Sequence, residues 1–227
     1  MSERRLRAMG RGGNTDRQRV NGSARRTQER GRARRAILVE ASRKLLRERE
    51  IDEISLTDVA DAAGIPKSSA YHFFSHVLDV FEAAASEMET EILKDLDSVS
   101  AADCADWRQA VNRFVGRGAA FFNANRDAMQ LLIGPKTPSA IKLKDRQNDF
   151  AIAGLLKDQI SRSFELPELA DTPEIFFRAI EIADLFFGLS VIRHGFITEA
   201  FTDEAGRATC AYLSLYLPVV LPRAQPA

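Results

Sequence analysis

A chain of 227 residues with 45% hydrophobic side chains has enough apolar material for one small and one medium domain, each with a real core. The formal charge of +0 hides a split: residues 1–35 carry twelve Arg against three acidic residues, a net of +9, which leaves −9 for the remainder. That asymmetry points to a polyanion-binding end on an acidic body. Two cysteines exclude a disulfide framework and suit a reduced, cytoplasmic protein, and no apolar run reaches the ~20 residues of a membrane span.

In chain order, residues 1–31 are rich in Arg, Gly, Asn, Ser and Gln and nearly free of large apolar side chains, so they are expected to be disordered. They form either a flexible arm whose arginines follow phosphates or a solvated tail. A helix is predicted from Arg32 to Arg49, with Ile37, Leu38, Ala41 and Leu45 on one face and Arg34 and Arg35 near its start. Ser55 suits the cap of a second helix, on which Leu56, Val59, Ala60 and Ala63 make one stripe. Gly64 ends that helix, and Ile65-Pro66 turns the chain into a third, Lys67 to Phe74. Ala70, Phe73 and Phe74 then face inward, leaving Lys67, Ser68, Tyr71 and His72 outside. Two short helices joined at a glycine, the second with an exposed row of donors, describe a helix-turn-helix within a DNA-binding head over 32–77.

Residues 78–227 read as helices throughout. A long helix from about Val77 to Leu96 carries Leu78, Phe81, Ala85, Met88 and Ile92 as its buried stripe, with Glu87, Glu89 and Glu91 as a solvated face. Further helices are predicted from Asp106-Trp107 to Asn123, around Arg126 to Ile133, from Ser139 to Phe164, from Pro173 to His194, and from a Thr202 cap to Leu217. The fold class is therefore all-α, with about nine helices. The last two helices are apolar on two faces, which in a body this small implies burial against a second subunit, and Ile182, Phe186, Leu189, Leu213 and Leu217 are the candidate contacts. No nucleophile elbow, phosphate loop, dinucleotide fingerprint or metal spacing is present, so neither an enzyme nor a cofactor is expected.

The stretch Gly64-Ile65-Pro66-Lys67-Ser68-Ser69-Ala70-Tyr71-His72-Phe73-Phe74 resembles the signature of the TetR/AcrR family of bacterial transcriptional regulators. Pro66 and Ser68 stand where the family commonly has Ser and Gly, and Val77 where it commonly has a phosphate-contacting Lys. The resemblance is close from about Arg34 to Phe81 and beyond that extends only to length and helical pattern. It implies a homodimer on a double-stranded DNA operator, in the bacterial cytoplasm at the nucleoid. Lys67, Ser68 and His72 would then read bases, Ser69 and Tyr71 would hold the backbone, and Thr57, Arg34 and Arg35 would add contacts. It also implies a repressor released by a small apolar effector bound among the body helices, for which Phe121, Phe122, Asn125, Met129, Phe150, Phe177 and His194 are the candidate contacts. A regulator of the same fold with no ligand, architectural or partner-controlled, is the alternative; an enzyme or carrier keeping only the fold is a further one.

Overall fold

Local chemistry sets where the helices begin and end. The computed structural model describes residues 13–224, with side-chain surroundings for 28–224. Among these lie α1 (Gly13–Glu48), a 3-10 turn (Ile51–Glu53), α2 (Leu56–Ala62), α3 (Lys67–Phe73), α4 (Val77–Asp97) and α5 (Trp107–Ala124). The short α6 (Arg126–Ala128) runs into a π turn (Met129–Ile133), and α7 (Ser139–Ser161), α8 (Thr172–His194) and α9 (Glu199–Leu213) complete the body. None of the helices among the described residues is long and apolar enough to cross a membrane.

The first helix begins at Gly13 rather than Arg32, so residues 13–31 are helical where disorder was expected; 1–12 lie outside the described residues. Arg, Gln, Glu and Ala are good helix formers, and a helix already nucleated by packing extends at little further cost. Thr198, not Thr202, caps α9: its Oγ1 accepts from the Phe201 amide at 3.3 Å. The helix stops at Leu213, short of Leu217, and two tight turns lead into Pro218.

At the head, Ser55 and Asp58 cap α2 reciprocally: the Asp58 amide donates to Ser55 Oγ at 3.2 Å and the Ser55 amide to Asp58 Oδ2 at 2.8 Å. At the other end Gly64 takes φ +63°, the left-handed conformation that costs glycine least. This lets the Ile65 amide reach Ala60 O (3.0 Å) and the Gly64 amide reach Asp61 O (3.1 Å), closing the last carbonyls of α2 before Pro66 starts α3. Leu38, Leu46, Leu56, Val59, Ala70 and Phe74 form the small core that these three helices share.

The body core gathers Trp107, Phe114, Phe122, Phe176 and Phe187 between α5, α8 and α9. Beyond α9 the chain folds back over α5, where the Trp107 indole donates to Pro218 O at 2.9 Å. That return buries Leu213 and Leu217 in the protomer's own core, so these two candidate subunit contacts have almost no surface to offer a partner. Ile182, Phe186 and Leu189 remain half-buried, and the exposed apolar residues beside them are Leu185 and Ile192.

Head and body meet at the C-terminal half of α1. Arg43, 7% exposed, donates through Nε to Asp127 Oδ2 (3.0 Å) and forks onto both carboxylate oxygens of Glu91 (2.6 and 2.8 Å). Arg47 adds a second bond to the same Asp127 oxygen at 3.0 Å. One turn further, the Gln130 amide donates to Arg49 O (2.8 Å) and Leu46 O and accepts from the Ile51 amide (2.9 Å). The end of α1 is thereby pinned to the π turn of the body.

Burial acts to raise the Asp127 carboxyl, but hydrogen bonds from Arg47 and Arg43 outweigh it and hold the group below the ordinary carboxylate value. A carboxyl lowered in this way stabilises the fold above its unfolded value, and that stabilisation disappears as pH falls through the folded value. Asp127→Ala, which leaves Arg43 buried with half its partners, is expected to lower unfolding free energy by ~3 kcal/mol in urea titrations. The double variant Arg43→Met/Asp127→Leu should lose less than the sum of the single variants, and both deficits should shrink toward pH 3.

Candidate nucleic-acid interface and body cavity

Four of the expected DNA-contacting side chains lie exposed on α3: Lys67, Ser68, Tyr71 and His72. Their spacing of i, i+1, i+4 and i+5 puts them on one side of the helix, opposite buried Ala70. Tyr71 is 55% exposed, well beyond what an aromatic used only for packing needs. Lys67 lies 3.7 Å from Asp61 across the turn, an exposed pair that a phosphate or base acceptor can displace at little cost. His72 stands edge-on to Phe73 with centroids 5.4 Å apart. Ser69 and Thr57 are half-buried.

The two arginines of α1 differ. Arg34 is exposed. Arg35 donates to Phe73 O at 3.3 Å and lies over the Phe74 ring at 4.1 Å, bracing the end of α3 from behind. At the start of α4, the His76 amide is taken up by Asp79 Oδ2 at 2.9 Å.

A narrow cavity of about 40 Å³ lies between α4, α5, α7 and α8. Of the residues expected around an effector, Phe122 lines it and the others do not. Phe121 and Met129 are buried outside it, and Asn125 spends its amide on Phe121 O at 2.8 Å. Phe150 and Phe177 stack on each other, centroids 4.1 Å apart, with Phe150 41% exposed. His194 is exposed and stands edge-on to Phe201. Phe114 and Phe187 supply the remaining aromatic wall.

The acidic lining was not anticipated. Glu89 of α4, Asp145 and Asp149 of α7 and Asp184 of α8 all face the cavity, and its lining contains no basic side chain. Glu89 belongs to the supposed solvated face of α4, yet it is 7% exposed, and its Oε1 has no hydrogen-bond partner among the described residues. Burial, reinforced by Glu89 and Glu181 and opposed by Lys142, pushes the Asp145 carboxyl up to about 7. Asp149 and Asp184 are also raised, first by burial and then by neighbouring carboxylates. The sequence did hold a signal: Asp145/Asp149 and Glu181/Asp184 are like-charge pairs at i,i+4 and i,i+3, which repel unless something separates or neutralises them. A broader cleft of about 500 Å³ adjoins the cavity along α7 and α8 and shares Asp145, Asp149 and Asp184 with it.

Residues 38–84, from α1 into α4, match the model of the bacterial regulatory proteins of the tetR family. A TetR-family transcriptional regulator from Streptomyces coelicolor superposes with a TM-score of 0.61 at 21% identity, over 81% of this chain and 99% of that one. A TetR transcriptional regulator from Rhodococcus sp. RHA1 superposes with a TM-score of 0.58 at 18% identity, over 80% and 96%. These two likenesses speak for the fold, and no curated protein matches the chain. The head thus matches the tetR family of bacterial regulatory proteins over residues 38–84, and the chain as a whole shares the fold of the TetR-family regulators it superposes on.

Proposed function

We propose that this DNA-binding regulator is a homodimeric repressor that sits on a two-fold operator and is released when a small ligand occupies the body cavity. The observation that carries the DNA-reading part is the outward row Lys67, Ser68, Tyr71 and His72 on a helix fixed behind by Gly64, Arg35 and buried Ala70. Lysine and histidine suit base acceptors in a major groove, whereas the hydroxyls of Ser69 and Tyr71 suit phosphates. Arg34 and Thr57 flank this row in sequence and are its candidate backbone contacts.

Two copies would bring two such helices to successive turns of DNA. The surface that supports dimerisation is the α8 stripe Ile182, Leu185, Leu189 and Ile192, of which Leu185 and Ile192 are 59% and 62% exposed. Ligand release finds support in the placement of the π turn, whose Leu132 and Ile133 line the cavity while Gln130 holds the end of α1. A ligand that shifts this turn shifts the support of the head, so ligand and operator each weaken the other. That arrangement weighs against a ligand-independent architectural protein.

Lys67→Ala should weaken binding to a duplex selected from a random pool by ~10-fold while leaving scrambled duplex nearly unaffected, as read by fluorescence anisotropy. Tyr71→Phe should weaken both duplexes alike; wild-type affinity in both variants would remove α3 from the interface. Leu185→Asp/Ile192→Asp should sediment as a monomer at micromolar concentration and lose the selected duplex. A double variant that remains dimeric would place the subunit contact elsewhere.

A further inference from the structure

Resting on the ligand-release reading above, we propose that the ligand is an organic cation, an amine, guanidine or quaternary ammonium with an apolar body, and that Glu89 and Asp184 are its charge partners. The cavity is walled by Phe114, Phe122 and Phe187 and by carboxylates from three helices. An apolar body against ring faces with a positive group over them is the arrangement that aromatic walls favour. The carboxylates supply the counter-charge.

The contrast with the head–body junction supports the point. There the buried Asp127 is matched with Arg43 and Arg47, and further along α4 the half-buried Asp95 is matched with Arg117. Glu89 is 7% exposed and lines the cavity, and its buried Oε1 has no partner among the described residues. An unpaired buried carboxylate is destabilising unless it is neutralised or meets a cation. Among the described residues no acidic cluster has the arrangement to hold a metal ion; an organic cation would match the aromatic wall as well as the carboxylates, and the adjoining acidic cleft gives it a route in.

The groups that face the site are Glu89 from α4, Asp145 and Asp149 with Lys142 from α7, and Glu181 and Asp184 from α8, with Arg146 lying 3.5 Å from Glu181. The α5 and π-turn parts of the inner wall carry no titratable side chain. Carboxyls whose folded values are raised stabilise the unliganded protein fully only below their unfolded values near ~4, and this is lost as pH rises toward the folded values. The unliganded protein should therefore melt at progressively lower temperature between pH 5 and pH 8, and Asp184→Asn should flatten that decline. A permanent cation favours the ionised carboxyls, so its affinity should rise with pH over the same range, by up to ~10-fold per unit for each proton released.

The test uses benzyltrimethylammonium, its neutral isostere neopentylbenzene and the anion 4-tert-butylbenzoate, titrated into the full chain by calorimetry and into its complex with the selected duplex. The expected result is at least ~10-fold preference for the ammonium over the isostere, lost in Glu89→Gln and independently in Asp184→Asn, with displacement of the duplex by the ammonium alone. Equal binding of the isostere, preference for the anion or for magnesium ion, or no binding of any probe at millimolar concentration would overturn the cationic site. Displacement of the duplex by neopentylbenzene would keep the ligand-released repressor and reject the cationic class. Tight binding of the ammonium with no displacement would keep the cationic class and reject release.

Discussion

The junction on which the molecule depends is the guanidinium of Arg43, held between Glu91 of α4 and Asp127 of α6. A side chain on the first helix of the head is nearly buried by the body, and only paired carboxylates make that burial tolerable. Three helices converge on this one charge, so α1, α4 and the segment leading into the π turn are fixed relative to one another. The exposed pairs Arg126–Glu50 and Lys136–Asp52 lie around it and add little individually, but they keep the 3-10 turn of the head on the same part of the body.

The body handles acid in two opposed ways. At the junction, carboxylates are matched with arginines, ionised and structural. In the cavity, they are crowded against each other and against apolar walls, and burial keeps them closer to the neutral form. The chain's net negative charge beyond residue 35 is therefore partly interior, and the charge split that reads as a basic end and an acidic body is also a split between a surface and a cavity.

The head was legible because its signals are local. Ser55, Gly64, Ile65 and Pro66 each act within a few residues, and the structure uses them as helix cap, left-handed stop and restart. The cavity was not legible, because which of fourteen phenylalanines lines a space is decided by packing between helices far apart in sequence. Counting aromatics put weight on Phe150 and Phe177, which stack at the surface, and overlooked Phe114 and Phe187. Glu89 was misjudged because Glu87 and Glu91 on either side gave it the look of a wetted face. The α1 extension was obscured by its glycines and by the absence of an apolar stripe, although its Arg, Gln, Glu and Ala residues favour a helix.

Glu89 and Glu91 are two positions apart on α4, about 200° around the helix axis, so one faces the cavity and the other the Arg43 junction. The same rod therefore has a load point on each side. From Glu89 to Val77, where α4 enters the head, the helix runs about 18 Å. A tilt of about 5° pivoting near Glu89 would carry that end through about 1.6 Å, taking the length from the rise per residue. In a dimer the two levers would be related by rotation about the two-fold axis, and the separation of the reading helices would change by up to twice that amount. Under the ligand-release proposal, α4 would act as the long arm of a lever whose fulcrum lies beside Glu89.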